Sequence, residues 1–240
     1  MKSASPSANS TKGANPAFDA SQGLSPAQVA PNVASAADAN SASAASQGQD
    51  AAPSLGQIAE SVRACHACAL CETRTNAVVG AGDPHARVMI VGEAPGKNED
   101  ATGTPFVGAA GKLLDELLEH AGLERSQVYI ANVLKCRPPG NRDPRPEEIQ
   151  ACADYLREQT RAIEPLVIVT LGNFATQFIL KTGIGITKLR GTIQHAGRFT
   201  VLPVFHPAAA IYDRSKKDAL VSDFEQVGQI VRDRISAETR

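Results

Sequence analysis

No apolar run in this sequence approaches the length of a membrane span. No basic start followed by an apolar stretch marks a secretory signal. The chain also lacks an excess of either charge: 24 Lys and Arg stand against 25 Asp and Glu. Overall charge therefore does not mark a nucleic-acid binder, and any such surface must be a local patch. The first 54 residues lack the material of a core. They are dominated by Ala, Ser, Asn, Gln, Gly and Pro, with only Lys2, Lys12, Asp19, Asp38 and Asp50 charged and only Phe18 aromatic. Such a segment cannot bury enough apolar surface to offset its ordering entropy. Residues 1–54 thus read as a disordered Ala/Ser-rich tail, a candidate docking segment for a protein partner. Residues 55–240 read as one folded domain, close to neutral without the tail.

Along that domain, strands and helices alternate. Residues 55–64 have the spacing of a short amphipathic helix. Arg87-Val-Met-Ile-Val91, Val128-Tyr-Ile-Ala131, Leu166-Val-Ile-Val-Thr-Leu171 and Phe199-Thr-Val-Leu-Pro-Val-Phe205 are compact apolar strands. Helices are predicted over 111–120, from Pro146, over 173–181 and over 216–235; Pro146 suits a first turn and Glu147 and Glu148 complement the dipole. The alternation predicts an α/β fold: three layers, α/β/α, around a central, mainly parallel four-stranded sheet. Ligands in such sheets bind beyond the carboxyl ends of the strands. The loops 92–108, 132–145 and 206–215 should therefore converge on one cleft.

All five cysteines, Cys65, Cys68, Cys71, Cys136 and Cys152, lie in the folded part. Without a signal peptide a cytoplasmic setting is expected, where clustered Cys points to metal before disulfides. Cys65 and Cys68 form a CxxC pair directly after a helix, and Cys152 follows Cys136 on the next helix. We assign Cys65, Cys68, Cys136 and Cys152 as ligands and Cys71 as the spare. Zinc and a [4Fe–4S] cluster both accept four thiolates, and spacing does not separate them. The plainer alternative is a set of buried reduced thiols. The site would tie residues 65–71 to the loop and helix at 136–152 and fix the loop 137–145.

Several segments together resemble type 4 uracil-DNA glycosylases. They are Val79-Gly-Ala-Gly82, Val91-Gly-Glu-Ala-Pro-Gly96 with Glu99-Asp100, Gly103-Thr-Pro-Phe-Val-Gly108, Asn132-Val-Leu-Lys-Cys-Arg-Pro-Pro139, Asn141-Arg142, Leu171-Gly172, Lys188-Leu-Arg-Gly191 and Phe205-His-Pro-Ala208. The resemblance runs from about Cys65 to the C-terminal helix and is specific through order and spacing. It implies a [4Fe–4S] cluster rather than zinc, and a repair enzyme that flips uracil out of DNA and hydrolyses its N-glycosidic bond. It also implies a cytoplasmic monomer working on uracil-containing DNA at the nucleoid.

The residue types suit that chemistry. A flipped base needs an aromatic face, and Phe106 looks like that residue. The Asn132 amide can accept from uracil N3–H and donate to O4, a pattern cytosine inverts. His206 can donate to O2, where charge grows as the bond breaks. Glu93, Ala94 and Pro95 would line the base. Where the best-known glycosylases resemble Gly-Gln-Asp-Pro, Ala94 occupies the Asp position, so the water-orienting carboxylate is open between Glu93, slightly favoured, and Glu99. The plain alternatives are an Asx turn at Asn132, core packing at Phe106 and a solvated loop at Glu99-Asp100.

Candidates for phosphate contact are Lys135, Arg137, Arg142, Arg145, Lys188, Arg190, Arg214, Lys216 and Lys217. Gly111-Lys112 is a decoy: a phosphate-binding loop needs glycine where Phe106 stands and Ser or Thr where Leu113 stands. Two other readings compete. One is a non-catalytic, metal-stapled nucleic-acid-binding module. The other is a glycosylase with a broader base range or a covalent product, which the short, His-free segment Cys136–Asn141 disfavours.

Overall fold

A computed structural model of the chain describes residues 52–238. The expectation of a disordered tail lies almost wholly outside them. The first helix, α1 (Leu55–Arg63), starts at a capping box: Ser54 Oγ accepts from Gln57 N–H and Gln57 Oε1 accepts from Ser54 N–H. Its buried Ile58 and Val62 pack towards Tyr155 and Ala162 of α4 (Pro146–Ile163).

Six strands form one sheet: β1 (Ala81–Gly82), β2 (Val88–Gly92), β3 (Val128–Asn132), β4 (Val167–Leu171), β5 (Gln194–Ala196) and β6 (Phe199–Val204). Their order is β1-β3-β2-β4-β6-β5. The four predicted strands are the parallel centre; β1 and β5 add antiparallel edges that the sequence reading lacked. Every residue of β2, β3 and β4 is buried, as expected for strands covered on both faces.

Alternate side chains serve opposite layers. Val88 and Ile90 meet Leu114, Leu117 and Leu118 of α3 (Ala109–Ala121) and Phe224 and Val227 of α8 (Ser215–Glu238). Met89 and Val91 face α4 and α5 (Gly172–Leu180), through Leu156, Ile163 and Ala175. The short helices α2 (Lys97–Thr102), α6 (Ile186–Leu189) and α7 (Pro207–Tyr212) stand in loops. The chain leaves β2 for β3 on one side and later returns to β4 on the other, so the end of β2 is a switch point where a crevice opens. Among the described residues no helix is long and apolar enough to cross a membrane.

Candidate active site

A cleft of about 390 Å³ opens there. Glu93, Ala94, Pro95, Glu99, Phe106, Asn132, Arg142 and His206 all line it. Residues from three predicted loops therefore share one cavity.

Close backbone approach makes this possible. A Cβ on Gly92 would lie 2.4 Å from Asn132 Oδ1 and 2.8 Å from Phe106 Cζ, so any other residue there would push those two side chains aside. Phe106 itself has φ +53°, a left-handed conformation costing about 1–3 kcal/mol in a non-glycine residue. Its neighbours hold it there. Glu99 Oε1 accepts from the N–H groups of Val107 (2.9 Å) and Gly108 (3.0 Å). Arg125 Nη2 donates to Pro105 O at 2.6 Å and Arg125 pairs with Asp115. The Phe106 carbonyl presses so near Gly111 that a Cβ there would lie 1.8 Å from it. The Glu99 carboxylate is thus a loop fastener at the α3 N-terminus. Asp100 is buried and accepts from Thr75 N–H at 2.9 Å, so the plain alternative of a solvated loop does not hold for it.

Asn132 ends β3 and is 2% exposed. Its Oδ1 is buried without a hydrogen-bond partner, alone among side-chain polar atoms of the described residues. Such an orphaned acceptor costs about 1–3 kcal/mol and calls for an external donor. The Phe106 and His206 rings stand 5.7 Å apart at 27°. His206 caps α7: its Nδ1 accepts from Ala208 N–H at 3.1 Å, which places the proton of the neutral ring on Nε2. Burial holds its pKa down at about 4, against the opposing pull of Glu99. At neutral pH His206 is an uncharged donor. Burial pushes the Glu93 carboxyl up to about 7, with the Asp143 charge adding to it.

The predicted phosphate contacts fare unevenly. Arg142 lines the cleft but is paired with the buried Glu148, whose carboxyl this hydrogen bond holds below the usual range. Arg137 Nε donates to Asn141 Oδ1 at 2.7 Å. Arg190 grips the buried Asp223 at 2.7 and 3.1 Å and also donates to Ala219 O. Lys216 pairs with Asp213 and Lys217 with Glu116. Lys188, Arg214 and Arg145 are exposed. Lys135 requires correction: it is 1% exposed, because its side chain turns inward from the end of β3 towards α4, and it cannot reach a phosphate. Sequence reasoning missed Gly96, Ala110, Pro138, Asn141 and Ala208 as lining residues. Four of the five lie in the loops predicted to converge, but nothing in their residue types singles them out.

All five cysteines line a second, small cavity with Val62, Ala67, Ala151, Tyr155, Arg74 and Lys135. Burial pushes the thiols of Cys68, Cys136 and Cys152 up, the last to about 11. Arg74 Nη1 donates to Cys136 Sγ at 3.1 Å. Among the described residues no three Cys, His, Asp or Glu side chains are grouped closely enough to hold one metal ion.

The family model of the uracil DNA glycosylase superfamily matches residues 79–227. A type-4 uracil-DNA glycosylase from Archaeoglobus fulgidus is 46% identical over 185 residues, covering 74% of this chain and 93% of its own. One from Sulfurisphaera tokodaii is 49% identical over 186 residues, covering 74% and 84%. One from Thermotoga maritima is 45% identical over 179 residues, covering 73% and 93%.

Proposed function

The chain belongs to the uracil DNA glycosylase superfamily, and on that premise we propose how its cleft removes uracil from DNA. It is a uracil-excising DNA repair glycosylase, which hydrolyses the N-glycosidic bond and leaves an abasic site. The observation that carries the reading of the cleft is the unpartnered Asn132 Oδ1 between Gly92 and Phe106. Uracil N3–H is the donor it lacks. The same amide then donates from Nδ2 to O4, while cytosine offers a bare N3 and an amino group in the reverse arrangement. Phe106 stacks on the extruded ring, held by the amides that Glu99 fastens.

Bond breaking sends an electron pair from C1′ to N1, and charge spreads to O2. His206 Nε2–H donates there and needs no proton transfer, because the ring is neutral with Nδ1 already occupied. Water attacks C1′ of the sugar cation. Glu93 is the better carboxylate to orient it: Glu99 is engaged with two backbone amides, whereas Glu93 lines the cleft, half-buried. Arg142 and the exposed Lys188 and Arg214 are the basic groups nearest in character to phosphate contacts.

Cys65, Cys68, Cys136 and Cys152 are the residues to hold a [4Fe–4S] cluster. Their shared cavity supports this. Zinc demands four sulfurs about 2.3 Å from one point; a four-iron cluster takes one thiolate at each corner and suits thiols spread around a cavity wall. The cluster would supply a crosslink between the segment after α1, the loop at Cys136 and α4, not a reacting group.

The direct test is release of free base from oligonucleotides carrying uracil, thymine or cytosine at one position, with iron content and visible spectrum taken on the same sample. Uracil release alone, from a brown iron-containing protein, is expected. Intact uracil strands refute the catalytic reading, and a colourless, active zinc protein refutes the cluster.

A further inference from the structure

Lys135 lies between the two cavities and is used by neither reading. It is one of the largest fully buried side chains, and it lines the cysteine cavity. Its Nζ donates to the main-chain O of Asn132 at 2.8 Å and to Gln159 Oε1 at 2.7 Å. Gln159, from α4 and fully buried, passes the contact on: its Nε2 donates to Val79 O (2.8 Å) and to Tyr129 Oη (3.1 Å). The Lys135 carbonyl accepts from Val78 N–H at 2.7 Å. Asn132 is thus held from behind by one buried amine that also ties β3 to α4 and to the segment before β1.

Both hydrogen-bond partners of that amine are neutral, and among the described residues no carboxylate forms an ion pair with it. A buried cation without an anion is strongly disfavoured. The groups in the same cavity that can become anions are the cysteines. Thiolates holding a cluster would supply that charge.

We infer that Lys135 is a positioning residue that couples the cysteine site to base recognition: its side chain lines the cysteine cavity and its Nζ fixes the main chain of Asn132, so the amide meets uracil in register. This rests on the cluster reading above. A lysine here is then not replaceable by an apolar side chain of equal length, although the site is buried.

The test uses the full-length protein purified without oxygen, wild type beside Lys135→Met. Iron content of the wild type separates the two readings: a wild type without iron defeats the cluster assignment, not the contact to Asn132. For Lys135→Met we expect wild-type far-ultraviolet dichroism and a KM for a uracil oligonucleotide within about twofold. We expect kcat to fall on the order of 10- to 100-fold, as for a misplaced contact group. The visible absorbance of its cluster should also bleach faster under an iron chelator. Wild-type kcat, or a rise in KM alone, overturns the inference. If the variant does not fold, deuterium exchange on wild type before and after chelation reads the same link. Protection lost at 128–136 while α3 and α8 stay protected supports it; unchanged exchange there, or loss throughout, overturns it.

Discussion

The base cleft and the cysteine cavity lie on either side of residues 132–136 and are built on opposite plans. The cleft holds its own shape. Phe106 is kept in a strained conformation by Glu99, Arg125 and the absent side chain of Gly111, and His206 is oriented by the first turn of α7. What it leaves open is a single acceptor, on Asn132. The thiols of the cavity are less tied: burial pushes three of them towards the neutral form, Arg74 donates to Cys136 Sγ and Ala67 N–H to Cys65 Sγ. If these thiols hold the proposed cluster, burial opposes their ionisation until it binds. The cleft is therefore preorganised by the chain's own contacts, whereas the cavity, on the proposed reading, would be organised by the cluster it holds.

The comparison can be broken most severely at His206. His206→Ala removes a donor aimed at developing charge and should lower kcat by about 10²–10³-fold with little change in KM, in single-turnover base release. A larger effect on KM than on kcat would mean that the ring only packs against Phe106.

The two carboxylates sharpen the same side. The Glu93 carboxyl titrates at about 7, raised by burial, so it is protonated below that pH and charged above it. If it orients water, the excision rate climbs as pH rises through 7, and Glu93→Gln removes that inflection with at least a tenfold loss of rate. Glu99→Gln should also slow excision, through a displaced Phe106, while keeping the inflection. A pH profile unchanged in Glu93→Gln would return the water-orienting role to Glu99 or to the backbone.

On the other side, the smallest expected effect on activity separates ligand from bystander. Cys136→Ser should lose the brown absorbance and melt several degrees lower, since it releases the tie to α4. Cys71→Ser should keep both the colour and the melting temperature. Loss of colour in Cys71→Ser alone would exchange the assignments.

Much of this was readable from sequence, for physical reasons. Continuous apolar runs such as Val88–Val91 mark strands buried on both faces, and these form the parallel centre. The edges β1 and β5 escaped because two or three partly polar residues carry no period. Glu93, Phe106, Asn132 and His206 were legible as motif residues, and the structure brings them into one cleft. The task of Glu99 was not legible, since bonding to amides eight and nine residues on depends on how the loop turns back. Lys135 misled outright: a lysine in a basic loop reads as a phosphate donor, and only the packing of α4 against β3 turns it inward. Arg190 likewise reads as a phosphate contact, whereas Asp223, thirty-three residues later on α8, pairs with it.

The central claim is that one unpaired amide reads the base. The most direct measurement is the single-turnover rate of uracil release by Asn132→Ala beside the wild type, with a melting curve for each. The account predicts loss of most excision with the melting temperature held within a few degrees, because the deleted oxygen had no partner within the protein. Wild-type excision by Asn132→Ala would contradict it.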